Sequence, residues 1–82
     1  SIFPNPAAEQ ATISIDLKNE VVLNIDLLDA MGGFVKTIET ETAYPGYNEF
    51  SLGLSNLETG VYFIRLIAGD FLQIFPIVVQ EQ

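Results

Sequence analysis

Leu57-Glu58-Thr59-Gly60-Val61-Tyr62-Phe63-Ile64-Arg65-Leu66 decides the fold of this 82-residue chain. A polar stretch closes on Gly60, and an aromatic, β-branched run opens directly behind it. Such a run, bounded by turn residues, reads as a strand. Carried on to Ala68, it places Tyr62, Ile64 and Leu66 on one face and Val61, Phe63 and Ile67 on the other.

The same two-residue period extends outward in both directions. In Ala11-Thr12-Ile13-Ser14-Ile15-Asp16-Leu17 the apolar residues Ile13, Ile15 and Leu17 alternate with polar ones, as in a half-buried strand. Lys18-Asn19-Glu20 is a polar turn. Across residues 21–29, Val21, Leu23, Ile25 and Leu27 share one face, with Val22, Asn24, Asp26 and Leu28 opposite. Asp29-Ala30-Met31-Gly32-Gly33 reads as a hairpin loop. Residues 34–40 form the next strand, and polar Lys36 and Glu39 mark it as a sheet edge. Residues 41–48 read as a longer connection around the Tyr44-Pro45-Gly46 turn. Phe50, Leu52 and Leu54 alternate in a further strand. After the loop at 55–60 come strand 61–68, the tight turn Gly69-Asp70 and a last strand at 71–79. A short β-piece at residues 1–3 completes the set. The expected fold is all-β: an immunoglobulin-like two-sheet β-sandwich of about seven short, mostly antiparallel strands.

Residues 1–82 are expected to form a single domain. So small a domain buries only about 60–65% of its unfolded surface, so its stability is thin. Cysteine is absent, which excludes disulfides, zinc–thiolate sites and thiol catalysis. Histidine is absent too, removing the usual general base and the commonest transition-metal ligand. Lys18, Lys36 and Arg65 face eleven acidic residues, for a formal charge of −8. That balance repels nucleic-acid phosphates and anionic headgroups, so neither nucleic acid nor a membrane surface is an expected partner. No run approaches the roughly 20 apolar residues of a spanning helix, so membrane insertion is not expected. Ser1 opens no signal peptide, and turn chemistry begins at once with Pro4-Asn5-Pro6. The chain is therefore expected to be a fragment cut from a longer chain, or a mature product.

Two strands carry more apolar surface than one sandwich layer can bury. Val61, Phe63 and Ile67 add a second apolar face to strand 61–68, and residues 71–79 are apolar on both sides. The excess needs a cover: a loop, a terminal segment, a neighbouring domain, a partner or a second copy. Without an intramolecular cover, the isolated domain is expected to form a homodimer through these faces. Pro76 donates no backbone hydrogen bond, which assigns the last strand to an edge or a bulge.

Residue chemistry points away from catalysis. Asp26 with Asp29 and Glu39 with Glu41 are acidic pairs, but nothing in their surroundings signals the burial that would split two carboxylate pKa values. They read as a solvated acidic surface. Asp16, Asn19 and Glu20 supply hard oxygen ligands without the spacing of a calcium loop. No metal or cofactor is expected. Tyr62, two residues after Gly60 and five after Leu57, resembles the tyrosine corner of immunoglobulin-like sandwiches, where the hydroxyl returns to loop backbone. Leu57 and Tyr62 are accordingly structural candidates.

Four motifs in order carry a family resemblance. Phe3-Pro4-Asn5-Pro6-Ala7 resembles the opening of the C-terminal sorting domains of the type IX secretion system of Bacteroidetes. Residues 21–29 followed by Ala30-Met31-Gly32-Gly33 are similar to that family's strand, turn and next strand. Phe50-Ser51-Leu52 leads through Leu54 and Leu57 into Gly60-Val61-Tyr62, which resembles its L-x-x-G-x-Y stretch. Residues 74–79 stand where the family's last strand stands, but without the lysines common there.

The resemblance implies an immunoglobulin-like domain at the C-terminus of a secreted cargo protein, acting as an address and not as an enzyme. Outer-membrane components of the secretion machinery would recognise it, and a sortase-like protease would remove it. The cargo would leave through periplasm and outer membrane and be secreted or held at the cell surface. The recognition candidates are Pro4, Asn5, Pro6, Gly60, Val61, Phe63, Ile67, Ile77, Val78 and Val79. The competing reading is an immunoglobulin-like spacer or carbohydrate-binding module of a larger secreted enzyme, with Tyr44, Tyr47 and Phe63 as stacking candidates.

Overall fold

A computed structural model describes residues 2–3 and 8–80. Seven strands follow one another: β1 (Ile2–Phe3), β2 (Gln10–Leu17), β3 (Val21–Leu28), β4 (Phe34–Ala43), β5 (Gly46–Gly53), β6 (Gly60–Ala68) and β7 (Phe71–Val79). They form two sheets, one ordered β1-β2-β5 and the other β4-β3-β6-β7. Every pairing among the described residues is antiparallel. This is the expected all-β sandwich.

Alternation explains the layers. Ala11 and Ile13 of β2 and Phe50 and Leu52 of β5 point inward from the three-stranded sheet. Leu23, Ile25 and Leu27 of β3, Ile64 and Leu66 of β6, and Ile77 and Val79 of β7 meet them from the four-stranded sheet. Most of these side chains are fully enclosed. Burial of an aliphatic side chain of this kind is worth roughly 1.5–3 kcal/mol, so this shared layer is the main support of the fold. The outer face of the three-stranded sheet carries Gln10, Thr12, Ser14, Asp16, Tyr47, Glu49 and Ser51 and is polar.

Both edge assignments from sequence hold. β4 and β7 flank the four-stranded sheet, so Pro76 sits on an edge strand, opposite Phe63. Along β4 the register with β3 shifts twice, leaving Val35 and Ile38 without a residue opposite. Such irregularities on an edge discourage further strand pairing.

The connection expected at residues 41–48 is a correction. β4 continues to Ala43 and β5 begins at Gly46, so only Tyr44 and Pro45 lie between the strands. β-branched Thr40 and Thr42 pair with Asn24 and Val22 and prolong β4. Pro45 then turns the chain, and Gly46 takes a φ of 109° that side chains disfavour. Two residues thus carry the chain from one sheet to the other. Leu54 falls just beyond β5, where its N–H donates to the Glu9 carbonyl at 2.8 Å.

Candidate functional site

The outer face of the four-stranded sheet is built in rows set by strand register. One row runs Phe34, Leu28, Phe63, Pro76. The next runs Thr37, Asp26, Arg65, Ile74, and a third Thr40, Asn24, Ile67, Leu72. Val61 and Val78 pair beyond Phe63. Asp26 and Arg65 are the only charged side chains in these rows, on a chain whose formal charge is −8. The face is thus locally neutral and mostly apolar.

Its middle is a polar seam. Arg65 Nη2 donates to Asp26 Oδ2 at 2.9 Å, and Asn24 Nδ2 donates to the same oxygen at 2.8 Å. Thr37 Oγ1 donates to Asp26 Oδ1 at 2.9 Å. Thr40 Oγ1 continues the seam by donating to Asn24 Oδ1 at 2.7 Å. Asp26 is only 3% exposed, although it faces outward. Burial alone would push its carboxyl pKa up. Hydrogen bonds from Arg65, Thr37 and Asn24, together with the charge of Arg65, outweigh burial and hold it below its ordinary value. Arg65 Nε is buried with no hydrogen-bond partner among the described residues.

Beside the seam lies an apolar lane along β6 and β7. Val61 is 47% exposed, Ile74 49% and Leu72 57%. Phe63, Ile67 and Val78 are half-buried between them. Isolated exposed apolar residues need no explanation; here they are contiguous on two paired strands.

The sequence candidates divide accordingly. Val61, Phe63, Ile67 and Val78 gather on this outer face, and Gly60 opens the strand that carries them. Ile77 and Val79 belong to the core, with exposures of 0% and 2%. Of these three neighbours on the last strand, only Val78 offers its side chain outward. Pro4, Asn5 and Pro6 lie outside the described residues. Leu72, Ile74, Leu28 and Phe34 were not singled out from sequence. The signal for the first two was present in the two-sided apolarity of residues 71–79.

Leu57 packs against the core, and the Tyr62 hydroxyl donates to the Glu58 carbonyl at 2.8 Å. This is the corner expected from Gly60-Val61-Tyr62: the ring fills the sandwich while the hydroxyl ties the loop before β6. Tyr62→Phe is expected to cost about 0.5–1.5 kcal/mol, the net worth of one such hydrogen bond. Urea unfolding with an unchanged m-value would check it.

The stacking candidates do not converge. Tyr47 lies on the outer face of the three-stranded sheet, where its hydroxyl donates to Glu49 Oε2 at 3.0 Å. Phe63 lies on the opposite outer face. Tyr44 is exposed in the β4–β5 connection. No cluster of three or more acidic, histidine or cysteine side chains occurs among the described residues. Asp29 is engaged in its own loop, where its Oδ1 accepts the N–H groups of Met31 and Gly33 at 2.9 and 2.7 Å.

Comparison with known proteins gives one family. The family described as the secretion system C-terminal sorting domain matches residues 1–80. No curated protein and no solved structure matches the chain.

Proposed function

Because the chain belongs to the secretion system C-terminal sorting domain family, we propose that its recognition surface is the neutral, apolar outer face of the four-stranded sheet. Membership makes it a C-terminal sorting signal of type IX secretion, which directs export across the outer membrane to the medium or the cell surface. The family is one of sorting signals, not of catalysts.

The finer reading concerns what touches what. Outer-membrane components of the machinery dock on Val61, Phe63, Ile67 and Val78, with Gly60 beside them. Pro4, Asn5 and Pro6 join the recognised set by their family motif. Upstream lies a cargo domain of the same polypeptide, which this domain follows as a single terminal unit. After export a sortase-like protease removes the domain. In the isolated domain the same face pairs with a second copy. The observation that carries this reading is the lane of exposed apolar side chains on β6 and β7, within a chain whose charges otherwise keep it soluble.

Fusion of residues 1–82 behind a periplasmic reporter, in a host with type IX secretion, tests it. The reporter is expected outside the cell, shortened by the sorting domain. A reporter that remains periplasmic would sink the reading. Recovery outside the cell with the domain still attached would leave the address and discard the protease.

A further inference from the structure

We propose that the free edge of β2 at residues 15–17 is completed by the residues that precede this domain in the full-length secreted protein. Those residues lengthen β1 and close a groove against Phe71. The inference rests on the reading of the domain as the terminal address of a longer cargo chain.

The shortfall is visible in the pairing. β5 accompanies β2 along its whole length, from Gln10 opposite Gly53 to Leu17 opposite Gly46. On the other side, among the described residues, β1 pairs with Thr12 and Ile13. Among the described residues, no strand covers that side of β2 at residues 15–17. The opposing sheet has no matching gap, because β7 extends to Phe71. Phe71 and Phe75 lie opposite the inward-facing Ala68 and Ile64. They therefore face the place where the three-stranded sheet is incomplete.

Two adjoining grooves mark that place. One, of about 390 Å³, is lined chiefly by Ile15, Leu17, Val21, Ala68 and Phe71. The other, of about 400 Å³, lies among Tyr47, Asp16, Gln73 and Phe75. Ile15, Leu17 and Val21 are only half-buried, and Phe71 is 47% exposed. Apolar side chains are thus left partly wet at this spot on the rim of the core.

Strand direction selects the occupant. β1 runs antiparallel to β2, with Ile2 opposite Ile13 and Phe3 opposite Thr12. A polypeptide entering β1 from its N-terminal side therefore passes along residues 15–17 just before it reaches Ile2. At about 3.3–3.4 Å per residue, three or four residues span that distance. A strand from a second copy would have to stop where β1 already occupies the edge. The connected segment meets no such obstacle, and its tether gives it a high effective concentration. Its alternate side chains fall opposite Ile15 and Leu17 and point toward Phe71, so that position calls for apolar, β-branched residues.

The test adds Thr-Val-Thr-Val ahead of Ser1 in one chain and Gly-Ser-Gly-Ser in another. The valines of the first fall opposite Ile15 and Leu17. Its melting temperature is expected to exceed that of the second by about 4–8 °C. Those amides of residues 15–17 not already bonded to β5 are expected to exchange about tenfold more slowly. Phe71→Ser should remove most of the thermal gain. Equal melting and equal exchange in the two extended chains would overturn the proposal. So would amide protection that appears in the unextended chain and grows with concentration, since a second copy would then own the edge. None of these readouts depends on export, so a domain that fails as an address still reports on its edge.

Discussion

Replacing Arg65 with methionine is expected to destabilise the domain by about 2–3 kcal/mol. Breaking a fully buried ion pair by removing one partner costs about 3–5 kcal/mol, because it strands the other charge. Here Asp26 is buried, but the Arg65 side chain is one-third exposed, so water screens part of the pair and the cost falls below that range. An 82-residue domain has a total stability of about 4–12 kcal/mol at typical values per residue. The loss is therefore a large fraction of the whole. Urea unfolding at pH 7 should show a lower midpoint at an unchanged slope. Asp26→Leu combined with Arg65→Met should be more stable than Arg65→Met alone, since the stranded carboxylate is then gone. A double variant weaker than the single would contradict this account of the seam.

The pH dependence has a definite sign. The folded Asp26 pKa lies below the ordinary value of 3.8. Its ionised form therefore adds stability above about pH 4, and that contribution is lost as pH falls through the lowered folded value. Without Arg65, burial is the largest influence left on the carboxyl and is no longer offset by the guanidinium. The penalty of Arg65→Met should then be greatest at neutral pH and shrink as pH drops into the carboxylate range, where protonation removes the stranded charge. A penalty that does not change between pH 7 and pH 4 would mean that Arg65 acts through its alkyl stem and not through its charge.

The parts of this molecule that alternation controls were legible in the sequence. Residues 11–17 show a clean period of two, and residues 61–68, although apolar on both faces, read as a strand from the aromatic, β-branched run behind Gly60; both are strands with the expected faces. Tyr62 announced its corner because a loop, a glycine and an aromatic stand at fixed local spacing. The β4–β5 connection is shorter than its sequence suggests because Glu41 and Thr42, just ahead of Tyr44-Pro45-Gly46, look like loop, although a β-branched residue pairs well on an exposed edge. The Asp26/Arg65 seam lay beyond reach for a different reason. Its two charges are 39 residues apart and become neighbours only through the pairing of β3 with β6. Asp26 read as surface because a carboxylate on the outer face of a strand normally is. What buries it is its row, with Thr37 on one side and Arg65 on the other.

Export of a reporter fused to the domain is expected to fall at least about tenfold when Val61→Lys and Ile74→Lys are introduced together. Both side chains are about half exposed on the outer face of the four-stranded sheet, and surface changes of this kind usually alter stability by no more than about 0.5 kcal/mol each. A lysine stem can lie along the apolar lane while its ammonium reaches water, so the free domain should stay folded. Docking is another matter. A partner closing over the lane would have to bury each ammonium without a counter-charge, since Asp26 is already engaged by Arg65. One tenfold step in affinity needs only about 1.4 kcal/mol, and stranding even one charge in an interface costs more than that. The control is Gln10→Lys with Ser51→Lys, which adds the same charge to the polar outer face of the other sheet. That chain should be exported normally. If both pairs reduce export alike, net charge is the cause and the apolar lane is not the recognition surface. If neither does while sedimentation shows that Val61→Lys with Ile74→Lys abolishes a dimer of the isolated domain, the lane serves self-association instead, and recognition lies elsewhere on the chain.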